Sequence, residues 1–240
     1  MGAPIALSLN ETTGGIAVAI PLNSGPMGVA RHKANGLIDG QFNGSGVVFT
    51  SFANTHNSYV YPDYPGNYPT IDMPAGVKLL DDGAIIVAGT SSPAPTMGDD
   101  FFTPEELATQ FKRIVLAKFS PSGLLVPEFG TSMLSFYTKD HSSEALSVSW
   151  SKNAIFIAGR CSFGVYCSGS MPQLATLRLS ANSGVIDLSL EHWTPDSIDL
   201  LGESVPTAVE PGGAICDDGK HLVIFGSYFS ANEPIIPPVP

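Results

Sequence analysis

Asp81-Asp82-Gly83-Ala84-Ile85-Ile86-Val87-Ala88-Gly89 is a turn followed by an apolar run, and the chain repeats it. It returns as Ser151-Lys152-Asn153-Ala154-Ile155-Phe156-Ile157-Ala158-Gly159 and as Asp217-Asp218-Gly219-Lys220-His221-Leu222-Val223-Ile224-Phe225-Gly226. A looser copy is Thr13-Gly14-Gly15-Ile16-Ala17-Val18-Ala19-Ile20. The anchors Gly15, Gly83, Asn153 and Gly219 stand 68, 70 and 66 residues apart. A period of this size marks a repeat architecture, in which each unit needs neighbours to cover its apolar face. The runs Ile85–Ala88, Ile114–Ala117 and Ile155–Ala158 are short and rich in β-branched residues, as strands buried on both faces are.

Each unit has a second half. It reads Gly28-Val29-Ala30-Arg31 then Asn35-Gly36-Leu37-Ile38-Asp39 and Phe42 in the first unit. In the second it is Val115-Leu116-Ala117-Lys118-Phe119, Ser122-Gly123-Leu124-Leu125 and Phe129-Gly130. In the third it is Leu174-Ala175-Thr176-Leu177-Arg178 and Ser183-Gly184-Val185-Ile186-Asp187. The Asn/Ser-Gly pairs supply the positive φ of tight hairpin turns. One unit is therefore four strands. In the second unit they are expected near Val77–Leu80, Ala84–Gly89, Arg113–Phe119 and Met133–Thr138. A four-stranded meander repeated about an axis is a propeller blade.

The order Asp-Gly, apolar strand, Ala-Gly, Leu-Ala-Lys/Arg, Ser/Asn-Gly-Leu and Phe-Gly resembles the delta-60 repeat of bacterial proteins. The resemblance covers most of Ile5 to Ser230, with the second unit matching best. The first unit has Ala19-Ile20-Pro21 in place of Ala-Gly, and the third lacks the closing Phe-Gly. The resemblance implies a propeller-like fold, often in large secreted or surface proteins, and it transfers no catalytic residue. The expected fold is all-β: one repeat domain over 1–240, a β-propeller or propeller-like array of about four four-stranded blades. Approximate units are 4–53, 75–138, 144–191 and 208–230, with a Pro-rich tail at 231–240. The last unit is too short for four strands, so an open arc with an unpaired edge near Leu222–Phe225 is expected.

Composition bounds the function classes. The chain has 240 residues, 43% of them apolar and 14% charged, with 25 Gly and 20 Pro, which suits short strands joined by turns. Eleven basic residues face 22 acidic ones, for a net charge of −11. That balance argues against nucleic-acid binding and against anionic lipid. No apolar stretch is long enough for a membrane helix. Met1–Asn10 has neither a charged start nor a long apolar core, so it does not read as a signal peptide. Cys161 and Cys167 are either free thiols or a disulfide pinning Ser-Phe-Gly-Val-Tyr, and their Cα atoms are expected within bridging reach. Cys216 reads as a small core residue.

The tight turns belong at one end of a meander and the long connections at the other. Those connections are Pro21–Met27, Asn54–Pro74, Thr90–Phe111, Lys139–Glu144, Cys161–Pro172 and His192–Thr207. Long loops on a rigid scaffold usually carry function. Asn54–Pro74 holds Tyr59, Tyr61, Tyr64 and Tyr68 with His56, Asp63 and Asp72, a pattern that suits a sugar or protein ligand. The plainer alternative is a loop packing its rings on the sheet edge. Asp99, Asp100 and Phe101 precede a short helix expected over Thr103–Phe111, capped by Thr103 with Pro104 in the first turn. Asp140-His141-Ser142-Ser143-Glu144 has triad residue types but reads as a solvated turn, since triads are set by geometry across a fold. Trp193 adds an aromatic to the same end. The five histidines show no metal-ligand spacing, and no cofactor motif is present. The expected function is non-enzymatic recognition or scaffolding of a protein or glycan, outside the cytoplasm. The alternatives are a glycan-directed hydrolase using Asp99, Asp100 or Asp140, and a structural segment of a larger surface protein. The open edge is expected to meet a partner, by self-association or as the remainder of a longer propeller.

Overall fold

A computed structural model describes residues 6–22, 25–53, 69–93, 112–129, 142–151, 153–162, 173–186, 207–216 and 222–230. The named elements among them are all strands: β1 Ala6–Leu9, β2 Ile16–Pro21, β3 Met27–His32, β4 Val47–Thr50, β5 Thr70–Leu79, β6 Ile85–Pro93, β7 Arg113–Phe119, β8 Ser142–Trp150, β9 Ala154–Ser162, β10 Gln173–Ser180, β11 Thr207–Cys216 and β12 Leu222–Ser230. They form antiparallel sheets in chain order: β1-β2-β3-β4, β5-β6-β7, β8-β9-β10 and β11-β12. The chain is thus all-β, as its patterning implies. The fourth strand expected at Met133–Thr138 lies outside the described residues, as does the turn at Gly219.

The turns follow from glycine. Gly14, Gly36, Gly83, Gly123 and Gly184 all have φ between 68° and 85°, where a side chain is strained. Gly83 donates its N–H to Leu80 and Gly14 donates to Asn10, so Gly14 rather than Gly15 is the structural counterpart of Gly83. The first turn is one residue longer, which hides this in a linear comparison.

The first strand of each later sheet carries a bulge: Pro74/Gly76, Ala145/Ser147 and Pro211/Gly213. Opposite each bulge stands the glycine that ends the repeated phrase, since Gly89 pairs with Pro74, Gly159 with Ala145 and Gly226 with Pro211. At Gly89 a Cβ would overlap the Met73 carbonyl oxygen. The glycine is therefore the room the bulge needs. It does not end the strand, because β6 runs on to Pro93 and β9 to Ser162.

Among the described residues, two cores lie between consecutive sheets. Ala17, Ala19, Met27, Val29 and Phe42 pack against Val77, Leu79, Ile85, Val87 and Phe119. Ile86, Ala88, Ile114 and Leu116 pack against Ile155, Ile157, Leu177 and Leu179. β6 therefore buries both faces, alternate residues going to alternate cores, as its unbroken apolar run requires. The first strands are in contact in succession, β1 with β5, β5 with β8 and β8 with β11.

Candidate functional site

Strand register sorts the connections. The connections that link β1 to β2, β3 to β4 and β5 to β6, and the turn that follows β7, meet around Arg31. This residue is buried, and its Nε donates to Asp39 Oδ2 at 2.9 Å. Its Nη1 donates to the carbonyls of Gly83 at 2.7 Å and Pro121 at 2.8 Å. Its guanidinium lies 4.9 Å from the centre of the Phe42 ring. One side chain thus ties β3 to two turns of the next sheet. The second unit repeats the motif, with Lys118 over Phe129 at 5.2 Å. The third unit has no aromatic at that place, and Arg178 lies over Phe156 of β9 instead, at 5.7 Å. Around Arg31 is a shallow cleft of about 600 Å³ lined by Lys33, Gln41, Asp81, Asp82 and Ser122 among others. Its carboxylates serve the fold: Asp81 accepts from Asn10 Nδ2 at 3.0 Å and Asp82 from the Ala84 N–H at 2.9 Å. No group of three metal-ligating side chains occurs among the described residues.

The described residues that flank the long connections lie at the opposite end. Pro21 pairs with Met27 and Met27 with Thr50, while Thr70 pairs with Pro93. Rows of paired residues across the second sheet pass from Leu79, Ile85 and Phe119 through Val77, Val87 and Ala117 to Asp72, Ser91 and Arg113. The face that is apolar in the core therefore becomes polar at this end, with all three of the last row buried. Ser142 and Ser143 of β8 are buried there too, and Lys112 pairs with Glu144 at 2.9 Å. The Ser143 N–H donates to the Lys112 carbonyl at 2.9 Å, and the Ala145 N–H to Thr90 Oγ1 at 2.9 Å. The long-connection end is thus a platform laced by buried polar groups and hydrogen bonds.

Asp72 is its most constrained group. Its Oδ2 accepts the Phe52 N–H at 3.0 Å and its own N–H donates to the Gly25 carbonyl at 3.1 Å, which bolts β5 to the first sheet. The Ser91 and Thr70 hydroxyls are close enough to favour the carboxylate somewhat. Neither meets hydrogen-bond geometry, so Oδ1 and both hydroxyls lack a partner among the described residues. Burial dominates and pushes the carboxyl above its ordinary value of 3.8. The folded chain then holds this proton more tightly than the unfolded chain. Its stability falls as pH rises from the ordinary carboxylate range through the raised value. Asp72→Asn keeps an acceptor for Phe52 and removes the charge. It is expected to match or exceed the native chain in urea at pH 7 and to lose this part of the pH slope. Urea midpoints between about pH 4 and about pH 8 check it, and an unchanged slope would show that Asp72 does not titrate there.

Sequence patterning placed Asp72 in a loop and Ser142–Glu144 in a solvated turn. Both lie in strands instead, Asp72 in β5 and Ser142–Glu144 at the start of β8, with Asp72, Ser142 and Ser143 buried. Polar composition hid them, because each is covered by a neighbouring sheet. Tyr59, Tyr61, Tyr64, Tyr68, Asp99, Asp100, Phe101, Asp140, His141 and Trp193 lie outside the described residues, as do Cys167 and the Thr103–Phe111 segment. No protein-family model and no curated protein matches this chain.

Proposed function

We propose that the chain is a propeller-like array of about four blades, of the delta-60 type it resembles. We further propose that it is a recognition or scaffolding module that holds a protein or glycan at its long-connection end, in a secreted or surface protein. Support for the array comes from the recurring bulge opposite glycine and from first strands that follow one another in contact. The observation that carries the function is the change of the sheet rows from apolar to polar at the end where the long connections are rooted. Such a platform holds its loops in fixed relation, as binding loops need. The tyrosines of 54–68 would supply rigid amphipathic contacts.

A glycan array and a display library of folded protein domains would reveal the ligand. With Tyr59, Tyr61, Tyr64 and Tyr68 changed to Ala, the retained ligand should bind at least about tenfold more weakly, a loss of about 1.4 kcal/mol. The melting temperature should move by less than about 2 °C, because loop tips add little to the cores. Undiminished binding would overturn the assignment to this loop. Release of reducing sugar from a bound glycan would replace recognition by hydrolysis.

A further inference from the structure

We infer that the cleft around Arg31 binds a neutral sugar through neighbouring hydroxyls, at a site apart from the long-connection end. Arg31 is 7% exposed and carries five N–H donors in one plane. Three of them are spent: Nε donates to Asp39, and the two N–H groups of Nη1 go to the carbonyls of Gly83 and Pro121. The other two belong to Nη2, which makes no hydrogen bond among the described residues and keeps contact with solvent. Arg31 lines the cleft, so Nη2 meets solvent there. The three bonds made by the rest of the group hold the guanidinium still. Nη2 is thus a fixed, unspent pair of donors in a cleft of about 600 Å³, a size usual for small-molecule sites.

Two carboxylates of the same lining are half spent. Asp81 accepts from Asn10 through Oδ1, and Asp82 accepts the Ala84 N–H through Oδ1. Neither Oδ2 has a partner among the described residues, and both side chains are exposed. The fold uses one oxygen of each and offers the other. Gln41, also exposed in the lining, adds a side-chain amide that no hydrogen bond occupies among the described residues.

The charges select the ligand. The lining holds Arg31 and Lys33 with Asp39, Asp81 and Asp82, and Asp39 already neutralises Arg31 at 2.9 Å. An anion would meet an excess of carboxylates in a chain of net charge −11. A bare cation would meet the guanidinium, and among the described residues no three carboxylate, imidazole or thiol side chains gather as metal ligands do. A hydroxyl suits both kinds of group, because it accepts from an N–H and donates to a carboxylate oxygen. Neighbouring hydroxyls on one ring serve Nη2 and a free Oδ2 together. Ala34, Leu79 and Pro121 lie in the same lining and give the C–H groups of the ring apolar contact.

An NMR titration of the isotope-labelled chain with the methyl glycosides of glucose, galactose and mannose tests this. At least one should bind with a Kd of about 1–10 mM, an affinity that suits an open cleft and a few hydrogen bonds. It should shift the Arg31 side-chain N–H signals and the Gly83 and Ser122 amides. Asp81→Asn combined with Asp82→Asn should weaken that binding at least about tenfold. Each amide keeps the Oδ1 acceptor that its turn uses and puts an N–H donor where the free oxygen stood. Gln41→Trp adds a bulky ring at an exposed part of the lining and should abolish binding with the fold intact. Changing Tyr59, Tyr61, Tyr64 and Tyr68 to Ala should leave it unaltered, which separates this site from the one proposed at the long-connection end. The inference is overturned if no glycoside shifts these signals, or if the tyrosine changes abolish the response. A response to glycine or acetate alone overturns it too, because the ligand would then be a zwitterion or an anion. So does undiminished binding to a folded chain carrying either the two Asn changes or Gln41→Trp.

Discussion

Arg31→Met should destabilise the chain by about 3 kcal/mol, the low end for removing one partner of a largely covered, hydrogen-bonded ion pair. For a chain of this size the melting temperature should fall by roughly 6–12 °C. The loss has several parts. Asp39, partly buried, is left without its cation, and the carbonyls of Gly83 and Pro121 lose their donor. The Phe42 ring loses the charge above it. Methionine replaces much of the apolar stem, so the loss reports the polar contacts rather than a cavity. Arg31→Lys should recover little, because a single ammonium cannot serve a carboxylate and two carbonyls from different turns at once. Differential scanning calorimetry on both variants checks this. A shift under about 2 °C for Arg31→Met would show that water satisfies those groups.

Gly89→Ala should cost a similar amount, about 3 kcal/mol, at the upper end for overpacking. The added Cβ meets the Met73 carbonyl oxygen and the Pro74 backbone, which cannot swing away as a side-chain tip can. Relief requires opening the pairing at the bulge, between the two cores that β6 joins. Gly36→Ala is the control. Nothing stands within 4 Å of a Cβ there, and only the positive φ of 80° opposes the change. It should cost about 1 kcal/mol, the penalty of the left-handed region alone. Equal urea midpoints for the two variants would show that the bulge adapts.

Local chemistry made much of the fold legible. Asx-Gly and Ser-Gly turns between β-branched runs marked the hairpins, and three expected strands of the second unit fall on β5, β6 and β7. Strand lengths were not legible. Gly89 looked like an end because glycine usually punctuates, yet it sits inside β6 opposite an irregularity in another strand. Asp72, Ser91 and Ser143 looked like loop because they are polar, and only the neighbouring sheet or strand explains their burial. In the sequence Arg31 is only the end of the Gly28-Val29-Ala30-Arg31 run. Its role depends on Gly83 and Pro121, which lie 52 and 90 residues away. The aromatic and acidic candidates of the long connections depend on long-range geometry in the same way, and no turn or periodicity signal speaks to it.

Among the described residues, each sheet pairs neighbours in sequence and each core joins consecutive sheets. Cooperativity in such an array is a nearest-neighbour property, as in a one-dimensional chain of coupled units. Among the described residues the second sheet packs a core on each face, and the first sheet packs on one. Damage at Arg31 or Gly89 therefore severs the molecule at a seam. It frees the sheet on one side to fray while the sheets beyond the seam keep their coupling.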